Sequence, residues 1–282
     1  MKIAVTSASG QLGNAILQEL EQHLGASGLI ALARTPENVK MTHIEARPAD
    51  YLKPDELDMA MKDVDVVVLI SGNDEPHKRI HQHRNVIEAA KANGVSKIIY
   101  TSIIGKEDES DFAPIVVSNR KTEADIRDSG LGWVIGRNGL YIDADLEYVE
   151  HYVVEGEIVN AAGKGLCSYT SRDELAKAYA KLVIEDHLKN QTYTLTGETI
   201  TQSQLAEIIT EVYDENVEYR EVSVQDFLWS CKARLGDYFG TVVSGIYESI
   251  QLGHFNEPGD FEHIMGRPHK TMREIIEAFK DQ

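Results

Sequence analysis

The stretch Thr6-Ser7-Ala8-Ser9-Gly10-Gln11-Leu12-Gly13 joins a short apolar run, Ile3 to Val5, to a run with apolar residues at helical spacing, Leu12 to Leu24. Small residues between a buried strand and a helix let backbone N–H groups, and the positive end of the helix dipole, approach a pyrophosphate. Gly10 and Gly13 serve that close approach and the packing of helix on strand; as an ordinary turn, the same stretch would be capped by Ser9. A glycine-richer version of the loop would carry glycine where this chain has Ser7. If the turn demands a positive φ there, serine costs ~1 kcal/mol. About twenty residues beyond the loop, where an acid would bind the ribose 2′-hydroxyl of NAD, the chain reads Ala31-Leu32-Ala33-Arg34. Arg34 can pair bidentately with a 2′-phosphate, beside a helix that Thr35 caps and Pro36 opens. The cofactor reading is therefore NADP(H) preferred, with NAD(H) also possible.

Such a loop needs a sheet behind it. Strands are expected at Ile3 to Val5, Leu29 to Ala33, Val64 to Ile70, Lys97 to Tyr100 and Trp133 to Ile135. Helical patterns separate them, around Ile80 to Ala92, closed by Asn93-Gly94, and from Asn119 to Asp128, closed by Ser129-Gly130. Strands that are apolar throughout and alternate with helices imply a parallel sheet covered on both faces. The expected fold is α/β, a Rossmann-type doubly wound sheet with a smaller C-terminal α/β substrate lobe. Residues 1–150 would form the cofactor domain and 151–282 the lobe, interleaved with it and not independently folding. In the lobe, Leu175 to Ile184 and Gln204 to Val212 read as helices, Thr192 to Thr196 as a strand and Val217 to Val222 as extended. Residues 223 to 270 resist assignment.

Composition narrows the partners. The 282 residues carry 28 Lys plus Arg against 46 Asp plus Glu, a net charge of −18, with no dense basic block. Direct nucleic-acid binding is not expected on that ground. The two cysteines, Cys167 and Cys231, have no metal or disulfide spacing, and neither a leader nor a membrane span is evident, so the expectation is a cytoplasmic protein.

The chain resembles the NmrA-like group of atypical short-chain dehydrogenases, and within it the NAD(P)H:quinone oxidoreductase type 2 branch. The matching residues are the loop Ser7 to Gly13, Ala31 to Arg34, Asp50-Tyr51, the segment His83 to Ser102, Thr122-Glu123, Arg137 to Tyr141, Ala161 to Gly163, Tyr193 to Gly197 and Gly266 to Pro268. The resemblance implies that Ser7, Ala8, Ser9, Gly10, Gln11, Leu12 and Gly13 hold the pyrophosphate and Arg34 the adenosine phosphate. It implies further that Asp50 and Tyr51 lie beside the adenine, Ser71 and Gly72 approach the ribose, and Thr101 and Ser102 end a strand near the nicotinamide. Asn138, Gly139 and Tyr141 would line the nicotinamide and substrate pocket.

Many short-chain dehydrogenases move a proton with a Tyr-x-x-x-Lys pair. Here the corresponding segment is Ile115-Val116-Val117-Ser118-Asn119, with Lys121 displaced by two positions. A quinone accepts hydride directly and its phenolate product needs little acid, so solvent, Ser102 or Tyr141 could supply the proton. The resulting expectation is an NADPH-dependent oxidoreductase acting on a quinone or similar small-molecule electron acceptor, with Ser102, Tyr141 and Asn138 as catalytic candidates. The alternative is a non-catalytic NAD(P)-binding redox sensor with a regulatory protein partner; a homodimer is also compatible. Nucleotide-sugar epimerisation would need the absent Tyr and Lys.

Other features read more plainly. His77 and His81 have metal-ligand spacing but no third ligand, so no metal is expected. The run Glu107-Asp108-Glu109-Ser110-Asp111 reads as an exposed loop or a lid. Phe227, Trp229, Tyr238, Phe239 and Tyr247 read as lobe core before a planar-ring pocket. Thr170-Ser171-Arg172-Asp173 sets its arginine one residue later than the related proteins often do.

Overall fold

Apolar runs without alternation form the centre of the molecule, because both faces of the main sheet are covered. The computed structural model describes residues 1–108 and 110–281. Its first half contains β1 (Ile3–Val5), α1 (Gln11–Leu24), β2 (Leu29–Ala33), β3 (Glu45–Pro48), α2 (Pro54–Ala60), β4 (Val66–Leu69), α3 (Pro76–Ala92), β5 (Lys97–Ile103), α4 (Ala113–Arg127) and β6 (Gly132–Asn138). Then come β7 (Leu140–Tyr141), α5 (Asp143–Leu146), α6 (Val149–Glu155), β8 (Glu157–Asn160), β9 (Cys167–Thr170), α7 (Arg172–Ile184), β10 (Gln191–Leu195) and β11 (Thr199–Ile200). The chain closes with α8 (Gln202–Tyr213), β12 (Glu218–Glu221), α9 (Val224–Leu235), α10 (Asp237–Gln251), α11 (Phe261–Met265) and α12 (Met272–Lys280).

Seven strands pair in parallel in the order β10-β6-β5-β4-β1-β2-β3. Side chains alternate between two cores. Ile3, Val5, Val66 and Val68 join α1 and α7 on one face, and Ala4, Val67 and Leu69 join α2 and α3 on the other. The order reverses between β1 and β4, which opens a crevice outside their carboxyl ends. This is the expected Rossmann-type α/β fold. The lobe supplies two small sheets, β11-β9-β7 and β12-β8, around a third core that includes Tyr169, Leu205, Ile250 and Phe255. Both α7 and β10 return to the main sheet after residue 150, so the lobe is not a separate length of chain. Among the described residues no helix is long and apolar enough to cross a membrane.

Several sequence expectations shift. β3 reads EARP and is mostly exposed; as an edge strand it needs only β2 for pairing, and Pro48 is tolerated there. α3 starts at Pro76 and α4 at Ala113, earlier than the apolar periodicity indicates, because each opens with proline in the first turn. Thr35 caps only one 3-10 turn, Pro36–Asn38, and makes no side-chain cap bond. α1 has Gly10 at its N-cap, not Ser9, and no side-chain cap. In the unassigned region, Gly240 and Gly245 look like breakers but lie inside α10. A Cβ on Gly240 would come within 2.6 Å of the Lys232 backbone, and one on Gly245 within 2.6 Å of Phe112 N. They are contact points, not interruptions.

The lobe also buries an acid. Asp145 is 5% exposed and accepts hydrogen bonds from Tyr152 (3.1 Å) and Tyr247 (3.5 Å). Burial pushes its carboxyl up to about 6, against smaller lowering effects of the two tyrosines. The folded state thus binds the proton more tightly than the unfolded chain, whose aspartates titrate near ~3.9. That contribution is fully present below ~4 and is lost as pH rises through about 6. Asp145→Asn is expected to raise stability by roughly 2 kcal/mol at pH ~8 and by little near pH ~4. Urea unfolding at the two pH values checks this; an equal effect at both would remove the role of ionisation.

Candidate active site

The carboxyl ends of the parallel strands frame one cleft made of two joined cavities. The first, of about 450 Å³, is lined by Ser7 and Gly10 to Gly13 after β1, Ser71 and Gly72 after β4, Thr101 and Ser102 on β5, and Asn138 and Tyr141 near the end of β6. The second, of about 440 Å³, shares Ser7, Gly10 and Gly72 and extends to Ser9, Arg34, Asp50 and Tyr51. Two expected site residues lie behind the cleft wall instead. Ala8 is fully buried, its N–H donating to Leu32 O. Gly139 is buried where a Cβ would meet Ser168 O at 2.4 Å, so it allows β6 to pass close to β9.

The loop after β1 is built for close approach. Ser7 has φ 49°, in the left-handed region. A Cβ on Gly13 would sit 2.5 Å from Ser7 O and 3.0 Å from Ala8 Cα, so only glycine lets the helix press on the turn. With no side chain capping α1, its first N–H groups are left for a ligand. The ring of Tyr51 borders the outer cavity, while its hydroxyl turns inward to Thr6 Oγ1 and donates to Ile70 O (2.9 Å). Arg34 is exposed, beside Thr35 and Asn38 in the same cavity, and no ion pair holds it among the described residues.

A family model described as NAD(P)H-binding matches residues 7–186. An NmrA-like family domain-containing oxidoreductase of Aspergillus flavus is 30% identical, across 100% of this chain and 97% of its own. The chain belongs to the NmrA-like family of NAD(P)H-binding proteins. Quinone oxidoreductase 2 of Escherichia coli is 31% identical over 97% of each chain. The crystal structure of Citrobacter sp. triphenylmethane reductase complexed with NADP(H) matches with a TM-score of 0.91 at 31% identity, covering 99% of this chain and 100% of that one. In this NmrA-like chain the glycine cradle and the uncapped α1 fit a dinucleotide pyrophosphate.

Around the catalytic candidates of the inner cavity, the hydrogen bonds of Ser102 and Asn138 are directed within the protein, whereas the Tyr141 phenol hydrogen is not. Ser102 Oγ donates to Glu123 Oε1 (2.7 Å) and accepts from Arg120 (3.2 Å). Tyr179 donates to Asn138 Oδ1 (2.6 Å), and Asn138 Nδ2 donates to the Tyr141 oxygen (2.7 Å). No acceptor among the described residues takes the Tyr141 hydrogen. Burial pushes the Tyr141 phenol up to about 12, opposed by Asn138 and by Arg172, whose guanidinium carbon lies 5.8 Å from the ring centre. Arg172 is itself tied to Glu147 at 2.8 Å and Asp143 at 3.7 Å.

The other candidates separate clearly. Ile115 and Asn119, where the Tyr and Lys of the usual pair would stand, both line the cavity; Lys121 is exposed and does not. His77 and His81 are exposed, whereas His83 is buried, accepting from Gly72 N (3.1 Å) with Nε2 and meeting Thr122 Oγ1 with Nδ1 (2.9 Å). Burial, then the Arg79 charge, lowers His83 to about 3, so it stays neutral. Among the described residues no group of three or more His, Cys, Asp or Glu is arranged to hold a metal. Within the acidic run, Glu109 lies outside the described residues; Asp108 Oδ2 is 2.9 Å from His254 Nδ1, and Asp111 N donates to Glu248 (3.1 Å). Of the aromatics, Tyr238 and Phe239 line the inner cavity, Phe227 and Tyr247 pack in the lobe, and Trp229 is 64% exposed.

Sequence reasoning missed Arg79, Phe112 and the α10 residues Val242 and Ile246 of this wall. Arg79 left one signal: the stripe Val86, Ile87 and Ala90 extends backwards through Gln82 and His83 to Arg79, all buried on one face of α3. Polar residues that continue an apolar stripe mark a buried polar site.

Proposed function

We propose that this protein is an NADPH-dependent oxidoreductase that passes hydride to a quinone or a similarly conjugated planar acceptor. One arrangement carries the reading: a continuous cleft from Arg34 to Tyr141 that lacks the phenol and amine pair but ends on a phenol with its hydrogen unclaimed. The similarity to a quinone oxidoreductase and to a triphenylmethane reductase supports it.

When bound, NADPH supplies the hydride from its nicotinamide ring. The protein's own residues bind, orient and exclude water. The loop Ser7 to Gly13 takes the pyrophosphate, and Arg34 takes the 2′-phosphate. Phe112, Ile115, Phe239 and Ile246 form an apolar slot that suits a flat acceptor. Tyr141, held by Asn138, donates a hydrogen bond to the acceptor oxygen on which charge develops. Ser102 is less suited, since its proton is directed to Glu123. The last proton comes from solvent, because a quinol anion needs little acid. Both cysteines are buried free thiols, which supports the reducing cytoplasm as the working compartment.

The direct test records reduced-nicotinamide absorbance while purified protein, saturated with NADPH, meets a panel of quinones. Quinone-dependent NADPH loss is expected; saturable binding without turnover on any acceptor would overturn the reading and leave a redox sensor. Arg34→Ala tests the cofactor preference. The NADPH dissociation constant should rise by about 10- to 100-fold with NADH little changed, and equal losses for both would remove Arg34 from the 2′-phosphate.

A further inference from the structure

Arg79 is a buried cation without a counter-charge. It is 4% exposed, and among the described residues no carboxylate pairs with it, whereas Arg120, Arg127, Arg137 and Arg172 each hold an acid. It donates to Ser118 Oγ (3.0 Å), Ser71 Oγ (2.6 Å) and Asn119 Oδ1 (3.3 Å), and its Nε has no partner. None of these acceptors depends on it. Ser118 Oγ also bonds Ile115 O, and Tyr100 Oη reaches both Ser71 Oγ and Asn119 Oδ1.

Burying a guanidinium alone is costly, and here polar neighbours do not require it. Its position suggests what does. Ser71 follows β4, and Asn119 occupies the α4 position where the lysine of the usual pair would stand. Arg79 lines the inner cavity together with Thr101, Asn138 and Tyr141. Asp74, the acid that shares this wall, accepts from Gln82 (2.7 Å). Burial lowers the Arg79 pKa, but a guanidinium remains charged at any working pH.

We propose that Arg79 supplies, from α3, a fixed positive charge beside the proposed nicotinamide half, in a wall where Asn119 stands in place of the lysine of the usual pair, and that this charge makes the protein retain NADPH in preference to NADP⁺. The phosphates of the two forms are alike. The dihydronicotinamide ring is neutral, and it becomes a cation when its hydride leaves for the acceptor. A fixed charge nearby therefore repels only the spent cofactor and favours its release. A unit charge within ~8 Å at an effective dielectric near ~20 is worth on the order of tenfold or more in relative affinity. The inference rests on the proposed position of the nicotinamide half at the ends of β4 to β6.

The test compares Arg79→Gln and Arg79→Lys with the parent, measuring dissociation constants for NADPH and NADP⁺ by calorimetry without acceptor, and the melting temperature without cofactor. In Arg79→Gln the preference for NADPH should fall by about tenfold, Arg79→Lys should keep it, and the cofactor-free Gln variant should melt no lower than the parent. A lower melting point with an unchanged preference would make Arg79 structural and overturn the proposal. If both constants weaken together in Arg79→Gln, Arg79 binds the cofactor without sensing its charge, and the proposal also fails. If neither constant moves, the nicotinamide half lies elsewhere, and the site reading fails with it.

Discussion

Tyr141→Phe is expected to lower kcat for quinone reduction by about 100-fold while leaving NADPH affinity within a few-fold of the parent. The size follows from what the hydroxyl does. Asn138 occupies the phenol oxygen as a donor at 2.7 Å, which leaves the phenol hydrogen unconsumed among the described residues. A donor aimed at a developing oxyanion in a water-poor cleft is worth far more than in bulk water. Because burial, opposed by Asn138 and Arg172, raises the phenol to about 12, Tyr141 stays a neutral donor across ordinary pH. The parent should accordingly show no loss of activity between pH ~6 and ~9 from Tyr141 ionisation. Steady-state kinetics with NADPH saturating decides it. An unchanged kcat in Tyr141→Phe would remove the hydroxyl from the reaction and leave solvent as the donor.

Glu123→Ala should cost roughly 3–5 kcal/mol of stability, the largest loss expected from any single charged residue near the site. The Glu123 side chain is fully buried and gathers Arg120 (2.8 Å), Arg127 (3.0 Å) and Arg137 (2.7 Å), with Ser102 donating to it as well. Burial raises the Glu123 pKa, but the Arg137 hydrogen bond, the Arg120 charge and Ser102 outweigh it, so the net shift is downward. The sign is opposite to that of Asp145: the contribution is present above the ordinary carboxylate range and fades as pH falls through the depressed value. Removing the acid takes the counter-charge from three guanidinium groups, Arg120 the most buried of them, whereas Glu123→Gln keeps the volume and an acceptor and should lose less. Urea unfolding measures both variants. A loss under ~1 kcal/mol for Glu123→Ala would mean that solvent already screens the cluster.

These two residues differ in how visible they are. Tyr141 follows a strand end in a recognisable segment, Arg137 to Tyr141, so its nearness to the cleft was legible. That its hydrogen is free was not, because Tyr179 and Asn138, which decide it, lie 41 residues apart in the chain. Glu123 reads in the sequence only as part of the segment Thr122-Glu123 within a helix. Its role as an anchor for Ser102 depends on Arg137 of the next strand, and so on the pairing of β5 with β6.

By itself, the chain determined its fold class and the small-residue turn that follows its first strand. Unbroken apolar runs require a sheet covered on both faces, and the small residues between Val5 and Leu12 permit a close strand-to-helix turn. Both signals are local, since periodicity and backbone sterics act over a few residues. Tertiary structure decided the lobe and the polar wiring. Gly240 and Gly245 become helix contacts only when α9 and the start of α4 press against α10, and β3 becomes a strand only because β2 offers it an edge. Arg79 becomes an uncompensated charge only once α3, α4 and the end of β4 enclose it. Burial and hydrogen-bond partners are set by residues distant in sequence, so no short window of the chain contains them.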